Sequence, residues 1–501
     1  MNRFVAGADF YNYDMYGGLR PGGEVQLFSR AYFGLVAATF TSSFVYIGSR
    51  YGLLLMVSVK LNLSEEQTEA MDRLVEVPAA MAFFVGLYAD AVPVHGFRRK
   101  SYMVIGMVLS LVCLTMIGFG CLFAGLLARA MSSTFSYIMM VLMGCVSFGS
   151  MINFCSVHTT VVALAQRETL ERRGVLVAEY LIVRATGQIT ARLLVYLIQN
   201  VIRTFEIPLI LLALMPLSVV TIIAVLEALE EPPAYFRESL RDKCESYWKL
   251  TKQKAVWRVL LLIASFAFFL NFDFPLVTVA LRKWTDTTSN ASALLNNGLS
   301  DLLMIVTVLV WKCRFRNTLW RRLFAVAPIM TIAPQVLLAV LTIPALARSP
   351  AVYIVFTGLT GVAAGIMALA LLVPVTEIIE EGSEGGMVGL ALSFNTIFKV
   401  FVSTLLTSIE RAPFIPPTVD EDDSTRHRWF IALLEFVACA VNALAFISLL
   451  FLPLQKLDAQ LVRMYGGFTD NAGAITAVAF ATSLSYCVAY NIYVFSDAIS
   501  T

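Results

Sequence analysis

The sequence predicts an all-α membrane protein built as two six-helix bundles, with a last apolar stretch long enough to add an extra C-terminal helix. Three observations carry that expectation. Of the 501 residues, 58% are hydrophobic and only 14% are charged, where a soluble domain carries about 25%. The apolar residues fall in blocks rather than amphipathic stripes. A run of about 20 crosses a bilayer as a helix, the element that satisfies its own backbone in hydrocarbon. Finally, a charged connection, 229–255, divides twelve such blocks six and six.

Residues 1–30 are polar and aromatic, with no short hydrophobic core and cleavage site, so the first block, 31–58, is read as the inserting span. It carries Arg50. The second, 68–90, opens on Asp72, Arg73 and Glu76, with Arg73 and Glu76 at the i,i+3 spacing of a local pair, and ends in Asp90. A link bearing Pro93 and Gly96 then runs through Arg98, Arg99 and Lys100 into 101–127. The fourth, 134–163, holds His158. The fifth, 174–202, holds Arg184 and Arg192, a little over two turns apart. The sixth is 207–228. Beyond the linker, 256–280 contains Asp273 in FLNFDFP and 290–313 contains Asp301. The basic link WKCRFRNTLWRR, 311–322, precedes 322–346, and 350–377 runs into the acidic link EIIEEGSEGG. In 386–409, Asn395 and Lys399 are four residues apart and share a face. The twelfth block is 428–454. A further stretch, 472–495, follows Lys456 and Arg463, precedes Asp497, and is read as a thirteenth crossing.

Lys and Arg in short loops set orientation. With the N-terminus in the cytoplasm, the inner segments hold twenty-three cations and the outer loops nine. The acidic link 377–386 is the one inner segment without a base. The expected division is a cytoplasmic segment 1–30, a first bundle 31–228, a cytoplasmic linker 229–255, a second bundle 256–455 and a tail 456–501. Two sequons, at Asn62 and Asn290, both fall in loops placed outside.

Net charge is +2, which gives no reason to expect nucleic acid as a partner. The eight cysteines are scattered without CxxC spacing, so neither a disulfide framework nor a zinc site is expected, and no cofactor is called for. There is no HExxH, GxSxG or P-loop, and extramembrane segments reach only about 30 residues. An enzyme, an ATP-driven pump and a large receptor domain are therefore disfavoured.

The basic turn recurs in each half between its second and third spans, and two six-helix halves about an axis along the membrane normal describe a major facilitator transporter. The stretch 86–99 resembles the signature that such proteins carry between spans two and three, with Gly86, Asp90, Gly96, Arg98 and Arg99 in its places. The physics is readable. Gly86 allows close helix approach. Asp90 ends its own helix, where the dipole disfavours an anion, whereas the N-terminus of the eleventh span near Gly385–Gly386 welcomes one. Bases 98–100 can pair with Glu168 and Glu171 or with Glu380, Glu381 and Glu384. The expectation is a latch between the halves that breaks when the protein opens inward.

The likeness extends to a narrower group. DAVPVHGFRRKSY, 90–102, resembles the D-x-x-P-x-x-G-x-R-R variant of the folate–biopterin transporter family. PVTEIIEEGSEGGMVGLALSFNTIF, 374–398, resembles that family's region around spans ten and eleven, and LPLQKLDAQLVRMYGGF, 452–468, its post-span segment. One departure is Ala-Ala-Met-Ala-Phe after Pro78, where many members carry an aromatic residue and a lysine. The resemblance implies symport of folate- or pteridine-like solutes by alternating access. The alternatives are a carrier of another organic solute or a transport-inactive receptor.

An ionisable group in a span costs at least about 2.5–3.5 kcal/mol at the helix centre and is a functional candidate by default. For an anionic small molecule, Arg50, Arg184, Arg192 and Lys399 are the natural counter-charges, with Asn395 beside the last. Asp273, Asp301 and His158 are candidates for a coupling proton. The competing expectation is mutual pairing, Arg184 with Asp273 or Lys399 with Asp301. The protein is expected to act as a monomer in the lipid bilayer of the plasma membrane.

Overall fold

The computed structural model describes residues 18–122, 124–202, 205–234, 237–411 and 423–500, with side chains omitted at 124–133, 290 and 497–500. Arg3 and Arg203, counted above for orientation, lie outside the described residues, as does most of the N-terminal segment. All regular structure within them is helical, with two isolated bridges and no sheet.

Twelve helices are long and apolar enough to cross a membrane. Six belong to the first half: Arg30–Lys60, Glu65–Ala91, Lys100–Leu122, Thr134–Ala165, Val175–Ile202 and Glu206–Glu227. Five belong to the second: Ala291–Phe315, Trp320–Thr342, Pro350–Ile378, Glu384–Glu410 and Thr425–Ser448. The last is Asp470–Ser496, the expected extra helix. The seventh span is a correction to the sequence reading. It is not one helix over 256–280 but two, Lys254–Phe269 and Pro275–Trp284. Pro275 supplies no N–H and pushes Phe274 into extended backbone, so the chain unwinds before it.

Local chemistry sets the other boundaries. A capping box starts the second span: Gln67 N donates to Ser64 Oγ at 3.2 Å and Ser64 N to Gln67 Oε1 at 2.8 Å. Glu231, from the stretch after the sixth span, accepts the N–H groups of Arg98, Arg99 and Lys100 at 3.0, 2.9 and 2.7 Å and so caps the third. Glu168 does the same for the fifth, taking Gly174 N and Leu176 N at 2.7 and 2.9 Å.

Two seams join the halves. The fifth span packs on the eighth, and the second on the eleventh. The second seam is tight because glycine lines it. A Cβ on Gly389 would stand 2.4 Å from Ala82 O, and one on Gly86 2.0 Å from Gly385 O. Ser393, fully buried, accepts Phe83 N at 2.9 Å next to the 3₁₀ turn Val77–Met81. The extra helix lies over this seam, with Asn491 Nδ2 on Thr404 Oγ1 at 2.9 Å and Tyr486 OH on Ser408 at 2.7 Å.

Candidate functional site

The residues of the expected latch meet the eleventh span at the end of the molecule bearing the 92–99 turn. Asp90 is fully buried, and each carboxylate oxygen is satisfied twice. Oδ1 takes Arg99 Nη2 and Gly385 N at 3.1 Å; Oδ2 takes Tyr247 OH and Gly386 N at 2.9 Å. Two backbone N–H groups at the start of the eleventh span thus hold the anion that the second span leaves at its own C-terminus. Arg99 also reaches Glu384 at 3.3 Å, and Arg20 pairs with the same carboxylate. Burial works against the Arg99 charge, but Asp90 and Glu384 outweigh it and raise its pKa. Burial and the neighbouring Asp90 likewise keep the Tyr247 phenol protonated, so it donates. Gly96 makes the turn at a φ of 78°.

The remaining bases differ from expectation. Arg98 reaches Glu238 at 3.5 Å and Lys100 caps the sixth span through Leu226 O at 2.7 Å; neither pairs with Glu168 or Glu171. A second closure that the sequence did not disclose lies beside the first. Arg173 and Glu377, 2% and 1% exposed, pair across the halves at 2.8 Å, and Gln460 donates to the same Glu377 oxygen at 2.7 Å. Lys456 extends its ammonium to Leu170 O, Arg173 O and Asn317 Oδ1 at 3.2, 2.8 and 3.0 Å. Burial lowers its pKa to about 8.

Burial pushes Glu168 up to about 7 despite its two backbone donors. The closed form therefore holds a proton that an exposed glutamate would release near its ordinary value of 4.5. Closure is favoured below that value and weakens as pH rises toward 7. Amide exchange at 384–390, followed between pH 5 and 7.5 and corrected for intrinsic rates, is expected to report progressively easier opening. A Glu168→Gln variant is expected to flatten the trend.

Deeper in, the charges form chains across the seams. In the first span a π-helical stretch, Gly48–Leu54, presents Arg50 and Tyr51. Arg50 makes two bonds to Asp72, both at 2.7 Å, and meets Glu76 at 2.9 Å. Glu76 in turn lies 3.9 Å from Lys399, which is 49% exposed. Tyr51 is flanked by Arg50 at 5.8 Å and Arg192 at 4.7 Å. Arg192 completes the chain to Asp301 of the second half at 2.8 Å. Arg184 has no carboxylate partner among the described residues; its guanidinium lies 4.2 Å over the Phe154 ring. Phe154 also packs on His158 at 4.4 Å, and His158 Nδ1 bonds Tyr180 OH.

Arg50, Arg192, Lys399 and Asp301 are thus brought into one system, and Arg184 and His158 into a neighbouring one. Neither expected pairing, Arg184 with Asp273 or Lys399 with Asp301, occurs. The local Arg73–Glu76 pair does not form either: Arg73 turns to Glu69 at 2.9 Å and across the seam to Ser403 at 3.1 Å and Thr407 at 2.6 Å. Asn395 is half-buried a turn before Lys399. Asp273 stands apart, in the break of the seventh span, with Thr278 donating at 2.9 Å.

Comparison with known proteins fits this geometry. No curated protein matches the chain. Among solved structures it is similar to the major facilitator superfamily proton:xylose symporter XylE, determined bound to 6-bromo-6-deoxy-D-glucose. The TM-score is 0.58 at 12% identity, over 88% of this chain and 98% of that one, a likeness of fold. The BT1 family profile matches residues 48–460. The chain therefore belongs to the BT1 family, the folate–biopterin transporters, and is a secondary transporter of the major facilitator type that works by alternating access.

Proposed function

We propose that the protein carries a folate- or pteridine-like organic anion together with a proton, as a monomer in the plasma membrane with its N-terminus in the cytoplasm. The observation that carries this reading is the pair of intramembrane arginines on the fifth span. Arg184 rests on a ring and has no carboxylate, and Arg192 holds Asp301 across the halves. A substrate carboxylate can take Arg184 through two parallel bonds and compete with Asp301 for Arg192. Asp301, released, then takes the proton, which ties movement of the halves to both passengers. His158, whose Nε2 has no hydrogen-bond partner among the described residues, is the second proposed carrier. Lys399, half-exposed with Asn395 one turn away, is the proposed counter-charge from the second half.

Uptake of labelled folate into vesicles at two external pH values tests this. Arg184→Ala is expected to raise the KM about tenfold or more, the loss of a charge-assisted contact. Asp301→Asn is expected to remove the acceleration seen at the lower pH. Folate uptake unchanged by Arg184→Ala, or failure of both folate and biopterin to compete for uptake, would sink the reading.

A further inference from the structure

The second half contains a cavity of about 430 Å³ whose lining, all of it between Leu270 and Glu435, includes neither of the seam charges Asp301 and Lys399. It reaches the break of the seventh span, where Leu270, Asn271 and Asp273 line it. Two carboxylates line it, Asp273 and Glu435. Neither has an ion-pair partner among the described residues, and no Lys or Arg lines the cavity. Among the described residues Asp273 has one hydrogen bond, from Thr278 to Oδ2. Glu435 is 6% exposed, and its one hydrogen bond among the described residues is the weak donation of the Cys439 thiol to Oε1 at 3.8 Å. A buried carboxylate with so few donors is expensive, so the cavity suits something that brings donors.

Size and lining narrow what that is. The volume falls in the range of small-molecule sites, about 300–1,000 Å³, and far exceeds a bare ion. No group of three metal-ligating side chains occurs among the described residues. Asn296 and Gln335 add amide donors and acceptors, and Tyr353 and Phe356 add ring faces. With negative charge and no positive charge, the cavity repels an anion.

We propose that this cavity binds a flat nitrogen heterocycle whose edge presents adjacent N–H donors, an aminopyrimidine-type edge that makes two parallel bonds to one carboxylate. Asn296 and Gln335 meet the remaining ring heteroatoms, and the aromatic side chains cover its face. The assignment rests on the pteridine reading above for its natural ligand. The nitrogen-rich head of the solute enters the second half, while its anionic end belongs to Arg184 and Arg192.

Binding to the purified full chain in lipid nanodiscs tests it, with four probes: pterin, 2-aminopyrimidine, p-aminobenzoylglutamate and sodium chloride. Pterin is expected to bind, and Asp273→Asn and Glu435→Gln are each expected to weaken it about tenfold or more. Circular dichroism and gel filtration confirm that the isosteric variants are folded. p-Aminobenzoylglutamate, which has the anionic end without the heterocycle, is expected to show no such dependence on the two carboxylates. Pterin bound equally by wild type and both variants would overturn the site and leave the pteridine reading standing. Carboxylate-dependent binding of 2-aminopyrimidine without any binding of pterin would uphold the site and remove the pteridine reading. Carboxylate-dependent stabilisation by sodium, with no organic probe bound, would overturn the proposal in favour of an ion.

Discussion

Arg173→Ala is expected to weaken closure of the latch face by about 3–5 kcal/mol, the cost of leaving a buried charge without its partner. The stranded group is Glu377, 1% exposed at the end of the tenth span, which keeps Gln460 as its hydrogen-bond donor once its guanidinium partner is gone. Arg173 follows the fourth span, in the other half, so the pair exists only while the halves meet at this end. Opening lets water reach Glu377 and relieves the cost, so the penalty falls on one state of the cycle. A shift of that size moves the closed-to-open ratio by roughly a hundredfold to several thousandfold. Amide exchange at Gly385 and Gly386, whose N–H groups are held by Asp90 in the closed form, gives the readout. The double variant Arg173→Met with Glu377→Leu is expected to recover much of the protection, since an apolar pair of similar volume removes the stranded charge. Unchanged exchange in the single variant would show that the pair is not part of the closure.

The latch shows what the residue order makes legible. The contact of Gly86, Asp90 and Arg99 with the start of the eleventh span could be anticipated because the argument was local: a helix ends in an acid, and the eleventh span offers an N-terminus on the same side. Tyr247 completes the site from a charged connecting segment that looked like a linker. Its signal was there in Lys243, Tyr247 and Thr251, four residues apart and all buried on one face of the helix Leu240–Lys252. A thirteen-residue polar helix gives little reason to look for that stripe. The seventh span failed for a different reason. Hydropathy averages over FLNFDFP, while the backbone responds to Pro275 alone. Inside the membrane, the inventory of charges was readable and the pairing was not. Spacing places Arg184 and Arg192 on one helix, but only the packing of separate helices decides that Arg192 meets Asp301 while Arg184 meets Phe154. The extra helix was legible as a length of apolar chain; its seat over the second and eleventh spans was not.

Gly86→Ala is expected to cost the closed state at least the 1–3 kcal/mol typical of overpacking. The reason it lies at the high end is the identity of what the new methyl meets. It would stand 2.0 Å from Gly385 O, 2.4 Å from Gly385 C and 3.0 Å from Gly386 N. A side chain can swing aside, but these are backbone atoms in the first turn of a helix that must move as a body. Separating the second and eleventh spans at this point stretches the bonds from Gly385 N and Gly386 N to Asp90, now 3.1 and 2.9 Å, so sterics and electrostatics fail together. The carrier is then expected to insert and fold, to expose the 384–390 amides, and to lose most of its uptake because it cannot return through the state closed at this end. Gly298→Ala is the control, because its Cβ meets nothing within 4 Å and it sits in a helix where alanine is favoured. Wild-type uptake and wild-type protection in Gly86→Ala would mean that closure at this end does not require contact between the second and eleventh spans at Gly86.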